Sequence, residues 1–385
     1  MARKFSPHVG FFEELSEGKH SSTLGDKFLL PPFTVLNARE GWWQDRKRAW
    51  LELGIKSELG RGEGLTYDTP EITEPGLNYY RNKEAGKASP GGSARPAMDY
   101  SNRERGSGSG SGSAIPGTEA KKPDALLFSS KSQNRLNEIM GQKSSADKEG
   151  EAAEGMIGTS IFDPVLCELA YRWWSPPSGL VLDPFAGGSV RGIVASKLGR
   201  RYIGTDLSAP QCGANRKQAE ELCTGDDPVP QWIVGDSRDI ETLVTEQADF
   251  IWTCPPYADL EVYSDDPKDL SQLGYAEFAK VYAAIIKSAC ARLRQDRFAG
   301  IVVGDVRGKD GCYYGFPWDT VAAFKAAGLR LHNEAVLVTA VGSLPIRAGR
   351  QFSAGRKLGK THQNLFVFVK GDPKRASLAC GTFEE

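Results

Sequence analysis

The amino-acid sequence predicts an α/β fold, namely a doubly wound, Rossmann-like sheet of seven strands that is mostly parallel. Apolar runs alternate with helical stretches along residues 156–372, which is the pattern of a parallel sheet covered by helices on both faces. The last two apolar runs have no helix between them, and this predicts an antiparallel hairpin at one edge. A small N-terminal region and a disordered linker precede this part of the chain.

Each predicted strand is a short, mostly apolar run. In chain order, the runs are GLVLDP, RYIGTD, QWIVGD, DFIWTC, FAGIVVGDV, EAVLVTAV and NLFVFVKG. Apolar residues at helical spacing separate them, and they predict helices at residues 164–174, 190–198, 210–221, 275–294 and 318–327.

Composition divides the chain into four segments. Residues 1–63 are rich in Trp and Arg and contain a short amphipathic helix from Trp42 to Leu53. Residues 64–155 include the run RGSGSGSGSAIPG, which loses much conformational entropy on ordering and buries little, so a flexible linker is expected. Residues 156–372 form the α/β domain, and residues 373–385 form a C-terminal tail.

The overall balance of residues restricts the class of protein. The chain has 385 residues, 40% of them hydrophobic, and a net charge of -1, so any acidic partner must be bound by local patches. Its seven cysteines include no C-x-x-C pair, which predicts neither disulfides nor a metal site. Because no signal peptide or long apolar stretch is present, we expect a cytoplasmic protein without a membrane partner.

The segment LDPFAGGSVRG follows the first strand and predicts a ligand-binding turn. Asp183 ends the strand, Gly187 and Gly188 allow close approach of a ligand, and Ser189 can cap the next helix. The turn matches neither the dinucleotide pattern G-x-G-x-x-G nor the phosphate-binding pattern G-x-x-x-x-G-K-[ST].

Two further acids follow the next two strands. Asp206 lies about 20 residues after the turn, where an acidic side chain can accept both hydroxyls of a ribose. Asp236 ends the third strand and can reach an adenine amino group. These acids, on consecutive strands and without phosphate-binding residues, predict an adenosine that carries no phosphate.

The fourth strand stops at Cys254, Pro255, Pro256 and Tyr257. Two consecutive prolines cannot continue a sheet, because neither has a backbone N–H to donate. They predict a rigid corner with a thiol before it and an aromatic ring after it.

The segments DPFAGG, GTDLS, GDSRD and CPPY together resemble the amino-directed DNA methyltransferases, whose signature is [D/N/S]-P-P-[Y/F/W]. The resemblance covers nearly all of the α/β domain, and the whole chain looks most like methylases of bacteriophages and prophages. It implies a Rossmann-like methyltransferase that uses S-adenosylmethionine to methylate N4 of cytosine or N6 of adenine in DNA. The implied catalytic residues are Cys254, Pro255, Pro256 and Tyr257. The implied cofactor-binding residues are Phe162, Asp183, Phe185, Gly187, Gly188, Ser189, Asp206, Leu207, Asp236 and Ser237.

The chemistry of an exocyclic amino group explains the corner. Its lone pair is delocalised into the ring, so two acceptors must draw the nitrogen toward tetrahedral geometry, and the base must leave the duplex to reach them. The family places Asp, Asn or Ser where this chain has Cys254. The sulfur could replace a serine, which favours cytosine N4; the Pro255 carbonyl could do most of the work; or activity could be reduced or lost.

The resemblance leaves the DNA-contacting surface open. Residues 343–364 form a basic, glycine-containing loop without acids, and we expect its cations to contact DNA: Arg347, Arg350, Arg356, Lys357 and Lys360. The N-terminal Trp/Arg-rich region could contact bases or pack on the α/β domain. Asp259 or Glu261 could contact the extruded base or form a solvated rim.

Two alternatives to a site-specific DNA methyltransferase remain open at this stage. One is an RNA base methyltransferase, since similar proline corners occur in RNA-modifying enzymes. The other is a protein that binds cofactor and nucleic acid but is catalytically impaired by Cys254. The sequence leaves undecided whether a restriction nuclease accompanies the protein.

Overall fold

The computed structural model of the chain describes residues 23–56, 162–257, 264, 266–341 and 344–382. All of these residues belong to one structural unit. The predicted linker at 64–155 lies outside the described residues, as do Asp259 and Glu261.

Eight strands form one sheet in the order β1-β7-β8-β6-β5-β2-β3-β4. Strand β8 is antiparallel to both β6 and β7, and every other pairing is parallel. The predicted Rossmann-like, mostly parallel sheet is therefore confirmed. The strands are β1 Val35–Asn37, β2 Leu180–Asp183, β3 Arg201–Asp206, β4 Gln231–Val234, β5 Ala248–Thr253, β6 Leu293–Val303, β7 Arg330–Val338 and β8 His362–Lys370.

The predicted strand count of seven was wrong by one, because β1 comes from the N-terminal region. This three-residue strand pairs with β7, with Leu36 opposite Leu337. The antiparallel pair β7–β8 forms as predicted, but it is not the edge of the sheet, since β1 covers the outer side of β7. The sheet thus includes a strand about 300 residues distant in the chain from its partner.

Helices cover both faces of the sheet. They are α1 Thr23–Phe28, α2 Gly41–Glu52, α3 Pro164–Trp174, α4 Val190–Lys197, α5 Ala209–Leu222, α6 Ile240–Leu243, α7 Tyr275–Arg292, α8 Phe316–Ala326, α9 Leu344–Gly355 and α10 Pro373–Ala379. The sequence predicted α2, α3, α4, α5, α7 and α8 to within about two residues at each end. None of the helices in the described part of the chain has the length and hydropathy of a membrane-spanning segment.

Helix α9 corrects the prediction of a basic loop across residues 343–364. Leu344–Gly355 is helical, and the predicted DNA-contacting residues Arg347 and Arg350 lie within it. Its two internal glycine and alanine pairs disguise an amphipathic pattern, because small residues are neither strongly apolar nor charged. Arg356, which directly follows the helix, adopts a left-handed backbone with φ of 52°.

The N-terminal region packs on the α/β domain through helix α2. Trp43 and Trp50 are fully buried in the core cluster that also holds Val165 and Leu169 of α3. The Trp43 indole donates to Asp163, whose carboxylate also caps the start of α3. These two tryptophans are therefore core residues and lie too deep to touch a base.

The buried carboxylate of Glu168 joins α2 to α3. It accepts hydrogen bonds from Arg46 at 2.5 and 2.7 Å, from the Trp50 indole at 2.8 Å and from Arg172 at 2.9 Å. Burial alone would raise the pKa of Glu168, but the donors and positive charges around it lower the pKa below its ordinary value. The glutamate therefore stays ionised inside the core.

Removing the charge of Arg46 should strongly destabilise the protein. Arg46→Ala leaves Glu168 buried without its bidentate partner, so we expect a loss of about 3–5 kcal/mol in the free energy of unfolding, measured by urea denaturation. Arg48→Ala on the same helix is the matched control, because Arg48 pairs with Asp45 on the surface and should cost about 0–1 kcal/mol. Equal losses in the two variants would contradict this account.

Candidate active site

A cleft of about 700 Å³ opens at the carboxyl ends of the central strands. Strands β2 and β5 are parallel neighbours, but the chain leaves β2 toward β3 and β4 and leaves β5 toward β6. Ligands of doubly wound sheets bind at such a switch point, since the loops diverge there. The volume falls within the range of ligand sites in proteins.

The glycine turn after β2 forms one wall of the cleft. Gly187 has φ of 48°, which favours glycine, and its N–H donates to the Asp206 carboxylate at 2.9 Å. The Gly187 carbonyl accepts a hydrogen bond of 2.7 Å from the Asn215 side chain. The turn also lies close to β3, since a Cβ at Gly204 would meet Ala186 at 2.7 Å. The backbone of the turn is thus fixed from both sides.

A buried ion pair lies beneath this turn. The Asp183 carboxylate accepts three hydrogen bonds: from Arg191 Nε at 2.5 Å, from the Tyr202 hydroxyl at 2.8 Å and from the Thr253 hydroxyl at 2.6 Å. Arg191 also donates to the carbonyls of Phe185 and Ala186 at 2.5 and 2.9 Å. Burial alone would lower the pKa of Arg191, but the Asp183 charge raises it above its ordinary value.

Two of the predicted cofactor residues lie behind the cleft wall. Asp183 is fully buried and its carboxylate is occupied by the contacts just described, so it orders the turn and does not line the cleft. Ser189 precedes α4 but its side chain does not cap the helix; its hydroxyl donates to Gln218 at 2.9 Å. The eight others line the cleft: Phe162, Phe185, Gly187, Gly188, Asp206, Leu207, Asp236 and Ser237.

The two strand-end acids differ in their surroundings. Burial raises the pKa of Asp206, although backbone donors at Ser208 and Gly187 oppose the shift. Burial would likewise raise the pKa of Asp236, but hydrogen bonds from Arg238 outweigh it and lower the pKa. Asp206 is therefore the acid whose charge is more easily lost on acidification.

The proline corner opens into the same cleft. Cys254, Pro255, Pro256 and Tyr257 all line it, and the cysteine is half-buried. The Cys254 sulfur lies 3.7 Å from the Tyr257 hydroxyl. That hydroxyl accepts a hydrogen bond of 2.7 Å from the side chain of Gln363 on β8. The corner, which follows β5, is thus attached to a strand on the far side of β6, and no sequence pattern connects the two.

Several cleft residues escaped sequence analysis. Gln44 and Lys47 reach the cleft from α2, and Lys47 forms an ion pair of 3.1 Å with Asp163. Asp305 and Gln363 reach it from the ends of β6 and β8. No sequence spacing relates these residues, because the contacts depend on how distant elements pack.

The predicted DNA-contacting cations are spread over a wider surface. Among Arg347, Arg350, Arg356, Lys357 and Lys360, only Lys360 lines the cleft. Arg347, Arg350 and Arg356 are exposed on or just after α9, and Lys357 is half-exposed. They lie within one short segment of chain that leads into β8.

Comparisons with known proteins give one family match and several low-scoring structural likenesses. Residues 162–216 match the family model described as DNA methylase. Among solved structures, TrmN from Thermus thermophilus is 20% identical, covering 54% of this chain and 49% of its own, with a TM-score of 0.36. An rRNA methylase from Streptococcus thermophilus is 12% identical, covering 56% of this chain and 100% of its own, with a TM-score of 0.34. TTHA0409, a candidate DNA modification methylase from Thermus thermophilus, is 16% identical, covering 36% of this chain and 51% of its own, with a TM-score of 0.27.

The chain spans about half the length of the first and third of these structures. At such low scores, none of the three likenesses bears on the substrate. Among curated protein sequences, none matches the chain.

The sheet order and the cleft at its switch point belong to the class of doubly wound α/β folds, which bind their ligands at the carboxyl ends of the strands. Within that class, the match over residues 162–216 confirms the resemblance to the DNA amino-methyltransferases. It covers the glycine turn and the Asp206 strand but ends before the proline corner. The likeness to phage and prophage enzymes stays a prediction.

Cofactor binding should weaken with acidification in a way that depends on Asp206. If the ionised carboxylate accepts the ribose hydroxyls, the dissociation constant for S-adenosylmethionine should rise as the pH falls through the raised pKa of Asp206. Titration calorimetry across a pH series checks this. Asp206→Asn should bind weakly at every pH with a flattened profile, and an unchanged profile in that variant would contradict the role.

Proposed function

We propose that the protein transfers a methyl group from S-adenosylmethionine to an exocyclic amino group of a DNA base that has left the duplex. We favour N4 of cytosine over N6 of adenine, because a thiol in the first motif position most resembles the serine usual in the cytosine subgroup. The observation that carries the proposal is the shared cleft: the Cys254–Tyr257 corner opens beside the glycine turn and Asp206. Donor and acceptor sites are therefore adjacent.

The residues of the glycine-turn side fit the cofactor. Asp206 would accept the ribose hydroxyls, Asp236 would face the adenine amino group, and the backbone at Gly187 and Gly188 leaves room for close approach. Lys47 would offer a positive charge to the carboxylate end of the cofactor. When bound, S-adenosylmethionine supplies an electrophilic methyl group.

The residues of the corner would prepare the nucleophile. The Cys254 sulfur and the Pro255 carbonyl would accept the two amino hydrogens, which turns the nitrogen lone pair toward the methyl group. The ring of Tyr257 would stack on the extruded base, and Gln363 holds its hydroxyl. The nitrogen lone pair would bond to the methyl carbon as the bond from that carbon to the sulfonium sulfur breaks, which leaves S-adenosylhomocysteine, and the nitrogen would then release one proton to water. Catalysis is then a matter of positioning, with no covalent bond to the enzyme.

The rest of the chain would serve this reaction. We propose that Arg347, Arg350, Arg356, Lys357 and Lys360 contact DNA phosphates, since they form a basic surface on a protein of net charge -1. We also propose that the chain consists of an N-terminal region (1–63), a linker (64–155), the methyltransferase domain (156–372) and a C-terminal tail (373–385). A DNA methyltransferase of this kind would act in the cytoplasm of a bacterium or of a phage-infected host cell, with or without a partner restriction nuclease.

The decisive test is transfer of labelled methyl to nucleic acid. We expect label on duplex genomic DNA from an unmethylated strain, none on total RNA, and N4-methylcytosine after digestion to nucleosides. Tyr257→Ala should retain the wild-type dissociation constant for S-adenosylmethionine and lose about 10²-fold or more in kcat/KM, because the base loses its stacking partner. Label on RNA alone would replace the DNA proposal with an RNA one. Cofactor binding without transfer would indicate an impaired enzyme, and normal transfer by Tyr257→Ala would refute the stacking role.

A second prediction separates the roles of sulfur and carbonyl at the corner. If the sulfur accepts an amino hydrogen, Cys254→Ser should retain activity and Cys254→Ala should lose about tenfold or more in kcat with little change in KM. If the Pro255 carbonyl does most of the work, Cys254→Ala should match the wild type. Single-turnover rates at saturating cofactor measure the difference, and Cys312→Ala, at an exposed thiol, is the control.

A further inference from the structure

The loop of residues 304–315, between β6 and α8, is a hairpin held by internal hydrogen bonds next to the Cys254–Tyr257 corner. Asp305 Oδ1 accepts from the N–H groups of Val306, Gly315 and Phe316 at 2.9–3.2 Å, which fastens both ends of the loop. Arg307 and Tyr313 face each other in an isolated antiparallel bridge. The loop therefore holds its side chains in place before any ligand arrives.

Tyr313 and Arg307 form a stacked pair at the tip of this hairpin. The Arg307 guanidinium carbon lies 3.7 Å from the centre of the Tyr313 ring. A hydrogen bond of 2.9 Å from Arg307 to the Gly311 carbonyl fixes that orientation. Tyr313 is nevertheless 42% exposed. A planar cation layered on an exposed aromatic ring offers a surface on which a nucleobase can stack.

Two lysines reach the same pair from the segment before β8. Lys360 Nζ lies 5.7 Å from the centre of the Tyr313 ring, and the Lys357 side chain packs against Gly311. Within the described residues, neither lysine forms a salt bridge, and Arg307 forms none either. Burial lowers the pKa of Lys360 and the charge of Arg307 lowers it further, although Asp305 opposes this. Such a concentration of positive charge favours an anionic ligand.

The position of this cluster relative to the corner identifies the ligand. Lys360 lines the cleft and lies three residues before Gln363, which holds the Tyr257 hydroxyl. Stacking surface and phosphate-binding charges therefore stand beside the place where the target base would insert. This combination suits one nucleotide of a strand: a planar base and its phosphate.

We propose that Arg307, Tyr313, Lys357 and Lys360 form a subsite for a nucleotide flanking the target base in the same DNA strand. The base of that nucleotide stacks on the Arg307–Tyr313 pair, and its phosphate contacts Lys357 and Lys360. This inference rests on the proposed function, and it adds a site that the family signature does not contain. The subsite would hold the strand open while the target base occupies the corner.

Equilibrium binding of the full-length protein to fluorescein-labelled duplex DNA of mixed sequence, at several salt concentrations, tests the subsite. Tyr313→Ala and Arg307→Lys should each weaken binding by about tenfold with the salt slope unchanged, because they remove stacking and keep the net charge. Lys360→Ala and Lys357→Ala should each reduce the slope of log K against log salt by about 0.9. Affinity for S-adenosylmethionine should stay at the wild-type value in Tyr313→Ala.

Matched controls exclude a general loss of charge or of fold. Lys325→Ala, at the far end of α8, and Phe33→Ala, at an exposed ring before β1, should bind DNA like the wild type. Thermal melting confirms that each variant is folded. If wild-type protein methylates DNA but the Tyr313, Arg307 and lysine variants bind it normally, the subsite is refuted and the proposed function stands. If wild-type protein neither binds nor methylates DNA, both are refuted.

Discussion

The buried pair of Asp183 and Arg191 is the interaction on which the active site depends. Asp183 ends β2 and accepts hydrogen bonds from Tyr202 of β3 and Thr253 of β5, so one carboxylate joins three adjacent strands. Arg191 carries the same connection to the carbonyls of the glycine turn, including that of Phe185. A buried pair of this kind adds little net stability, because desolvating both charges offsets their attraction. We infer that its role is geometric: it fixes the glycine turn and the residue before the proline corner in one network.

The N-terminal region also helps to build the sheet, the core and the cleft. It contributes a strand to the sheet, two tryptophans to the core and a cation to the Glu168 carboxylate. It also delivers Gln44 and Lys47 to the cleft. Lys47 forms an ion pair with Asp163, and the same carboxylate caps the start of α3. The position of this side of the cleft is therefore coupled to the packing of α2, which lies more than 100 residues earlier in the chain. The described part of the region therefore packs within the same structural unit as the α/β sheet, although composition alone set it apart.

The sequence predicted those features that local pattern determines. Seven strands were found because their apolar runs end in polar or glycine-containing turns, and the cleft residues of the glycine turn and corner followed from motif order. Strand β1 was missed, since three residues carry no periodicity. Helix α9 was missed because its alanine and glycine residues obscured the amphipathic pattern. The positions of Asp183 and Ser189 behind the cleft wall were missed for a different reason: their side chains contact Arg191 and Gln218, and no motif records which partner a side chain will meet.

The hydrogen bond between Gln363 and Tyr257 connects the corner, where the target base would react, with the surface where the DNA strand would bind. Strand β8 holds the tyrosine hydroxyl through Gln363, and three residues earlier the chain presents Lys360 to the cleft. The hairpin bearing Tyr313 approaches the same lysine, whose Nζ lies 5.7 Å from the centre of the Tyr313 ring. A strand of DNA that contacts Lys360 would therefore meet a surface rigidly connected to the ring of Tyr257, on which the target base is proposed to stack. Since β8 is hydrogen-bonded on both edges within the sheet, it cannot shift alone, and the spacing between the two sites is set by the backbone.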